Sequence, residues 1–198
     1  MRLLILVRHG ETRKNLLSNL HSSDDPESLN KTGIDQIEKT ALVLKEYLPF
    51  NLYSSIKRRA VESAKIISEI NNVPVNFIEG MEERNWGVYS GKPWDDVSKI
   101  LDPLSLEERF NFVPKNGESW KAFEIRLIKA LKRVLTTQDK NIVIVTHGGS
   151  IRALLPFLLN TSKDESFKFD PANASLTIFE IKKHQFRKIV IADTSHLE

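Results

Sequence analysis

Met1-Arg2-Leu3-Leu4-Ile5-Leu6-Val7-Arg8-His9-Gly10-Glu11-Thr12 opens the chain and runs on into Arg13-Lys14-Asn15. Residues 3–7 are all apolar, too short a run to span a membrane and suited to a strand buried on both faces. Polarity then inverts within one residue. Open α/β sheets gather their ligands at the carboxyl ends of the strands, which is where Arg8, His9 and Gly10 would stand. Gly10 lets the backbone turn sharply or approach a ligand closely. An isolated Arg-His-Gly also fits a surface turn, so the rest of the chain has to decide.

The same arrangement occurs a second time. Asn141-Ile142-Val143-Ile144-Val145-Thr146 is another buried strand, followed by His147-Gly148-Gly149-Ser150. Between and beyond these two, strand and helix patterns alternate. Ile34, Ile37, Ala41, Leu42, Leu44 and Leu48 recur at helical spacing after Thr32-Gly33, and the helix ends before Pro49. Residues 51–54 suit a short strand. A helix follows through Arg59, Ala60, Ala64, Ile67 and Ile70 to Asn71-Asn72, and residues 73–78 suit a further strand. Trp120, Phe123, Leu127, Leu131 and Val134 mark one face of a helix over 119–135. Residues 151–159 read as a helix that bends or stops near Pro156, and residues 174–181 and 187–191 as an antiparallel hairpin. The pattern predicts a three-layer α/β sandwich: a mostly parallel central sheet with helices on both faces. In such a sheet the ends of two parallel strands share an edge, so His9 and His147 would meet in one crevice.

With 198 residues, 40% hydrophobic and 28% charged, the chain suits one globular domain. Residues 79–117, punctuated by Trp86, Gly87, Gly91, Pro93, Trp94, Pro103 and Pro114, are where a substrate cap would be inserted, with short helices within 94–112. Residues 18–31 are polar and lack apolar periodicity, and could form a wall of the substrate site. The absence of cysteine excludes disulfides and thiolate chemistry. No secretory leader pattern follows the apolar run, so a soluble cytoplasmic protein without membrane contact is expected. A net charge of +3, mostly dispersed, favours small anions over nucleic acid.

At this point the chain resembles the histidine phosphatase superfamily, the phosphoglycerate-mutase-like fold. Arg8-His9-Gly10-Glu11-Thr12 with Asn15 resembles the family signature, whose histidine is transiently phosphorylated. The run from Ser54 to Ala64 resembles its second motif, with Arg59 at the phosphate-binding position. Glu83-Arg84-Asn85-Trp86-Gly87 resembles the segment carrying the acid/base glutamate. Thr146-His147-Gly148-Gly149 with Ile151-Arg152 resembles the motif of the second histidine, and Asn173-Ala174-Ser175 resembles a pattern before a late strand. The resemblance implies a catalytic set of Arg8, His9, Arg59, Glu83 and His147, and a phosphate-binding set of Arg8, Asn15, Arg59, His147 and Gly148, with no cofactor and no metal.

The chemistry agrees. A phosphoryl group in transfer spreads charge over three oxygens, which planar guanidiniums and helix N-terminal N–H groups stabilise. Two nearby arginines keep an imidazole neutral and nucleophilic. A carboxyl beside a phosphate is kept protonated by like-charge repulsion, so Glu83 could serve the leaving oxygen and then activate water.

A serine hydrolase elbow at Ser150 fails because Arg152 occupies its last position, and no His-Glu-x-x-His is present. A phosphomonoesterase is favoured. Phosphoglycerate mutase is the alternative, and a non-catalytic phosphate-binding module the rival of another class. Glu83-Arg84 with Trp86 leans toward the mutase, while Ser22-Ser23-Asp24-Asp25-Pro26 stands in place of its glycine-rich stretch. The partner is a phosphorylated small molecule, with homo-oligomerisation open. His21, His184 and His196 read as surface residues, and Trp86, Trp94 and Trp120 as packing.

Overall fold

A computed structural model describes residues 1–21, 26–136, 140–183 and 185–198. The leading apolar run is β1 (Arg2–Arg8), and residues 3–7 are all buried. One turn of helix, α1 (Arg13–Leu16), follows. It starts on Thr12, whose hydroxyl accepts the Asn15 N–H while the Asn15 side chain accepts the Thr12 N–H. Next come α2 (Lys31–Leu44), β2 (Phe50–Ser54), α3 (Arg58–Asn71) and β3 (Val75–Phe77). The segment read as a cap contains α4 (Trp94–Leu101) and α5 (Leu106–Asn111), and α6 (Trp120–Leu135) lies beyond it. The chain ends with β4 (Asn141–Thr146), α7 (Gly148–Leu159), β5 (Leu176–Lys182) and β6 (Gln185–Asp193).

The six strands form one sheet in the order β3-β2-β4-β1-β5-β6. β1 to β4 are mutually parallel, and β5 and β6 are antiparallel to their neighbours. Alternation along each strand sends side chains to opposite faces. Leu4, Leu6, Ile142 and Ile144 pack with Phe123, Leu127, Leu131 and Leu154 from α6 and α7. Leu3, Ile5, Val7, Val143 and Val145 pack with Ile37, Ala41, Ala60 and Ile67 from α2 and α3. Both faces are therefore covered, and continuous apolar runs rather than alternating ones are what such strands need. Each fully buried aliphatic side chain contributes about 1.5–3 kcal/mol. Among the described residues, no helix is long and apolar enough to cross a membrane.

Several sequence expectations shift. The strand expected over 73–78 shrinks to Val75–Phe77, at the sheet edge beside β2 alone. α7 begins at Gly148 and runs through Pro156 to Leu159, ending on Asn160 at φ 52°. The hairpin is present and longer than expected, since β6 extends to Asp193.

The loop after β1 meets the start of α2 backbone to backbone, and the Gln36 and Asn30 side chains tie Glu11 to it. A Cβ on Gly33 would lie 2.2 Å from the Glu11 carbonyl oxygen, and one on Gly10 would lie 2.3 Å from the Gly33 carbonyl oxygen. The side chain of Asn30 caps α2 by accepting the Gly33 N–H at 2.7 Å. Alanine usually improves a helix over glycine. Here Gly33→Ala is expected to destabilise by about 1–3 kcal/mol through overpacking. Chemical denaturation checks this, and an unchanged or raised midpoint would contradict the contact.

Candidate active site

β1 and β4 pair in register up to Arg8 opposite Thr146, and the His9 N–H donates to the Thr146 carbonyl at 3.0 Å. His9 and His147 are the next residue on each strand. Their rings consequently meet at 5.3 Å between centroids, and both are buried. The geometry fixes the tautomer of His9: Nδ1 lies 2.8 Å from the Gly10 carbonyl, which can only accept, so Nδ1 carries the hydrogen and Nε2 the lone pair. Arg59 Nε donates to that Nε2 at 3.1 Å.

Arg59 is 1% exposed and lies on the inner face of α3 with Ala60, Ser63 and Ala64. Arg58, one position earlier, turns outward onto Glu62 at 2.8 Å. Arg8 donates from one amino group to the Pro171 carbonyl, while its buried Nε has no hydrogen-bond partner among the described residues. His147 Nε2 meets Ser55 Oγ at 2.9 Å, and its Nδ1 is likewise buried without a partner among the described residues. A Cβ on Gly148 would stand 3.2 Å from Arg8 Nε, so glycine there admits the guanidinium to the start of α7.

These charges act on one another. Burial first, then the Arg59 and Arg8 guanidiniums, hold His9 well below the ordinary imidazole value. Burial and then Arg59 do the same to His147. Burial also lowers Arg8, opposed by Asp170 and Glu83. The result is two neutral imidazoles among fixed positive charges, an arrangement that favours an anion.

Glu83 enters from the segment after β3. Its Oε1 accepts its neighbour's N–H, that of Arg84, at 2.8 Å, and its Oε2 accepts the Gly149 N–H at 2.8 Å. A Cβ on Gly149 would fall 2.2 Å from Oε1. The resemblance placed Gly148, at the start of α7, in the phosphate-binding set; the structure gives the next N–H, that of Gly149, to Glu83.

Asn15 lines the same cleft. Its Oδ1 accepts from the Thr12 N–H at 3.1 Å and from Asn173 Nδ2 at 3.2 Å, which leaves its amide facing His21 Nε2 at 3.4 Å. His21 is therefore not a surface residue. It is 8% exposed, lies edge-to-face with His9 at 5.9 Å, and pairs through Nδ1 with Glu27 at 3.3 Å. His196 is also tucked in, its Nε2 against Thr40 Oγ1 at 3.0 Å and the Ala174 carbonyl at 3.2 Å. His184 and residues 22–25 of the polar loop lie outside the described residues.

The cleft over these groups has a volume of about 630 Å³. Trp86, Trp94, Leu101, Asp102 and Arg109 bring residues 79–117 to its wall. Two arginines that the sequence reading left without a role line it as well. Arg84 lies 4.2 Å over the Trp86 ring, donates to the Phe112 and Glu118 carbonyls, and is lowered by burial to about 10. Arg152 lies over Trp120 at 5.5 Å, with Nε on the Ser166 carbonyl at 3.0 Å, and is lowered by burial against the pull of Asp170 and Glu83. Trp86 and Trp120 are packed as expected, and they also face the cleft. Among the described residues, no group of three or more His, Asp or Glu is placed to hold a metal ion.

Comparison with known proteins agrees with this geometry. Residues 4–194 match the histidine phosphatase superfamily (branch 1). A broad-specificity phosphatase of Saccharomyces cerevisiae is 29% identical, over 98% of this chain and 86% of its own length. A 2,3-bisphosphoglycerate-dependent phosphoglycerate mutase of Thermoplasma acidophilum is 27% identical, over 92% of this chain and 88% of its own. Among solved structures, the phosphoserine phosphatase of Entamoeba histolytica in complex with 3-phosphoglyceric acid superposes with a TM-score of 0.85 at 26% identity, over 100% of both chains. Two strand-end histidines, a buried arginine on the first of them and a match over nearly the whole length agree: this chain belongs to the histidine phosphatase superfamily, branch 1.

Proposed function

We propose that the protein is a phosphomonoesterase acting through a phosphohistidine on His9. The observation that carries this reading is the His9 ring itself, buried, tautomer-fixed by the Gly10 carbonyl and bonded at Nε2 by Arg59. Nε2 attacks phosphorus as Arg59 turns its fork onto the phosphoryl oxygens, with Arg8 and a His147 Nδ1–H supplying further donors. Protonated Glu83 gives its proton to the leaving oxygen as the P–O bond breaks. Water then attacks the phosphohistidine, Glu83 takes the water's proton, and the P–N bond breaks to return neutral His9 and phosphate. Asn15 and Gly148 complete the phosphate-binding set, and residues 79–117 act as the cap over a phosphorylated small molecule. The donors Arg84 spends on the Phe112 and Glu118 carbonyls favour hydrolysis over mutase chemistry, which must hold a second anionic group while excluding water.

Incubation with labelled phosphomonoesters and with 3-phosphoglycerate is expected to release inorganic phosphate and to leave an acid-labile label on the chain. His9→Ala should abolish both label and turnover, whereas full activity in that variant would refute the mechanism. Glu83→Gln should lower kcat on alkyl phosphates by about 10²–10⁴-fold and much less on an aryl phosphate; equal losses on the two would remove Glu83 from the acid role.

Because His9 is held below the ordinary imidazole value, its neutral form persists under acid conditions. The acid limb of kcat/KM, which reports the free enzyme, should therefore fall below about pH 6.5. A His9 titration seen at or above that value in the free enzyme would contradict the assigned environment.

A further inference from the structure

Ala174, just before β5, stands at φ 59°, in the left-handed region that alanine keeps only where its surroundings over-determine it. Its backbone is held on both sides. The N–H donates to the Arg8 and His9 carbonyls at 3.1 and 3.2 Å. The carbonyl lies 3.2 Å from each of two groups, Thr40 Oγ1 in α2 and His196 Nε2 in a short turn (Ser195–Leu197) beyond β6. One hydroxyl hydrogen is too few for this arrangement. Thr40 Oγ1 is within reach of the Gln36 carbonyl at 3.0 Å as well, and a hydroxyl directed at Gln36 leaves Ala174 to the histidine. A carbonyl can only accept, so the His196 nitrogen that faces Ala174 carries a hydrogen, and the same N–H lies 3.0 Å from Thr40 Oγ1. The lone pair is then on Nδ1, which is buried without a hydrogen-bond partner among the described residues. Burial lowers His196 below the ordinary imidazole value, against the Ala174 bond and Asp193, which raise it. A buried nitrogen without a partner opposes folding, so the contribution of this neutral ring lies in its other nitrogen.

We propose that His196 is a positioning residue for His9: its Nε2–H secures the Ala174 carbonyl, which keeps Ala174 in its left-handed conformation and its N–H on the Arg8 and His9 carbonyls, so that the His9 ring stays aimed into the cleft. His196, Thr40 and Ala174 do not line that cleft, and the effect passes through the backbone of residues 174 and 8–9. The proposal rests on the reading of His9 as the nucleophile. A histidine that only packed the turn beyond β6 would affect stability and leave the reaction untouched.

Nitrogen NMR of the wild-type chain labelled at histidine is expected to show His196 as the Nε2–H tautomer. Nδ1–H there would overturn the proposal, and this measurement needs no variant to fold. His196→Ala is expected to lower kcat on a phosphomonoester by about tenfold, short of the roughly 100-fold that a 1 Å misplacement costs, with KM within about twofold of wild type and the His9 ring resonances displaced. His196→Gln carries an amide N–H of similar reach and should restore kcat to within about threefold of wild type, with the His9 resonances returned. Lys39→Ala removes another tie on the same turn, the Nζ bond to the Leu197 carbonyl at 2.6 Å, and leaves the Ala174 bonds in place. It should lower the melting temperature while kcat and the His9 resonances stay as in wild type. Wild-type kcat in His196→Ala, or equal losses of kcat in His196→Ala, His196→Gln and Lys39→Ala, would overturn the proposal while leaving turnover through His9 intact. A wild-type chain that turns over no phosphomonoester would instead overturn the reading of His9 as the nucleophile, and the His9 resonances in His196→Ala would still decide the positioning.

Discussion

The in-register parallel pairing of β1 with β4 is the constraint on which the site depends. Because Arg8 lies opposite Thr146, the two residues that follow are both histidines at the sheet edge, and the His9 N–H to Thr146 carbonyl bond locks one to the other strand. A slip of one residue would send one imidazole to the opposite face of its strand. β5 clamps the same turn from the other side, since the Ala174 N–H donates to the Arg8 and His9 carbonyls and Asn173 Nδ2 to the His9 carbonyl at 3.0 Å. The backbone of His9 is thus held from both neighbours in the sheet. Its orientation needs no flexible loop.

What that edge gathers is costly to bury. Arg59 is almost wholly enclosed, and Arg8 and Arg152 are lowered by desolvation with no carboxylate bonded to them among the described residues. Removing guanidiniums from water without a bonded counter-ion opposes folding. The imidazoles respond by staying neutral, and Glu83 offers partial compensation at a distance while its oxygens are held by backbone N–H groups. In the proposed reaction, a bound dianion would offset this cost, and preformed charges need not reorganise as charge develops on the phosphoryl oxygens.

Most of this was legible where local pattern and tertiary position coincide. Residues 3–7 and 141–146 announce buried strands by their apolar runs, and the histidines are legible as the residues that end them. Arg59 was separable from Arg58 by helical phase alone, since Arg59, Ala60, Ser63, Ala64 and Ile67 share the buried side of α3. His21 was not legible: it sits in a polar segment without period, and its burial depends on Glu27, Asn15 and His9, contacts that no spacing rule reports. Arg84 and Arg152 were hidden for a related reason. A charged residue reads as solvated by default, and only the aromatic rings beneath these two, Trp86 and Trp120, show them turned inward. The carboxylate use of the Gly149 N–H was equally invisible, because a helix N-terminus serves an acidic side chain as well as it serves a phosphate.

Reaction and selectivity are therefore built from different parts of the chain. The groups proposed to react, apart from Glu83 in the segment after β3, stand on strand ends and on the first turns of α3 and α7, elements fixed by sheet pairing and core packing. The remainder of the 630 Å³ cleft comes from connecting segments, including Leu20 and His21 before the short polar loop, Trp86 to Arg109, and Phe167 to Asp170. A phosphoryl group fills only a small end of such a space, so contacts to the rest of the substrate lie with those segments. Trp94, 38% exposed and edge-on to Trp86, and Arg152 on Trp120 present aromatic faces and a guanidinium there rather than a closed pocket matched to one small molecule. In the proposed mechanism, a wall of this kind would leave a phosphorylated His9 open to water. Hydrolysis, rather than return of the phosphoryl group to a tightly held acceptor, is the outcome that such an open site favours.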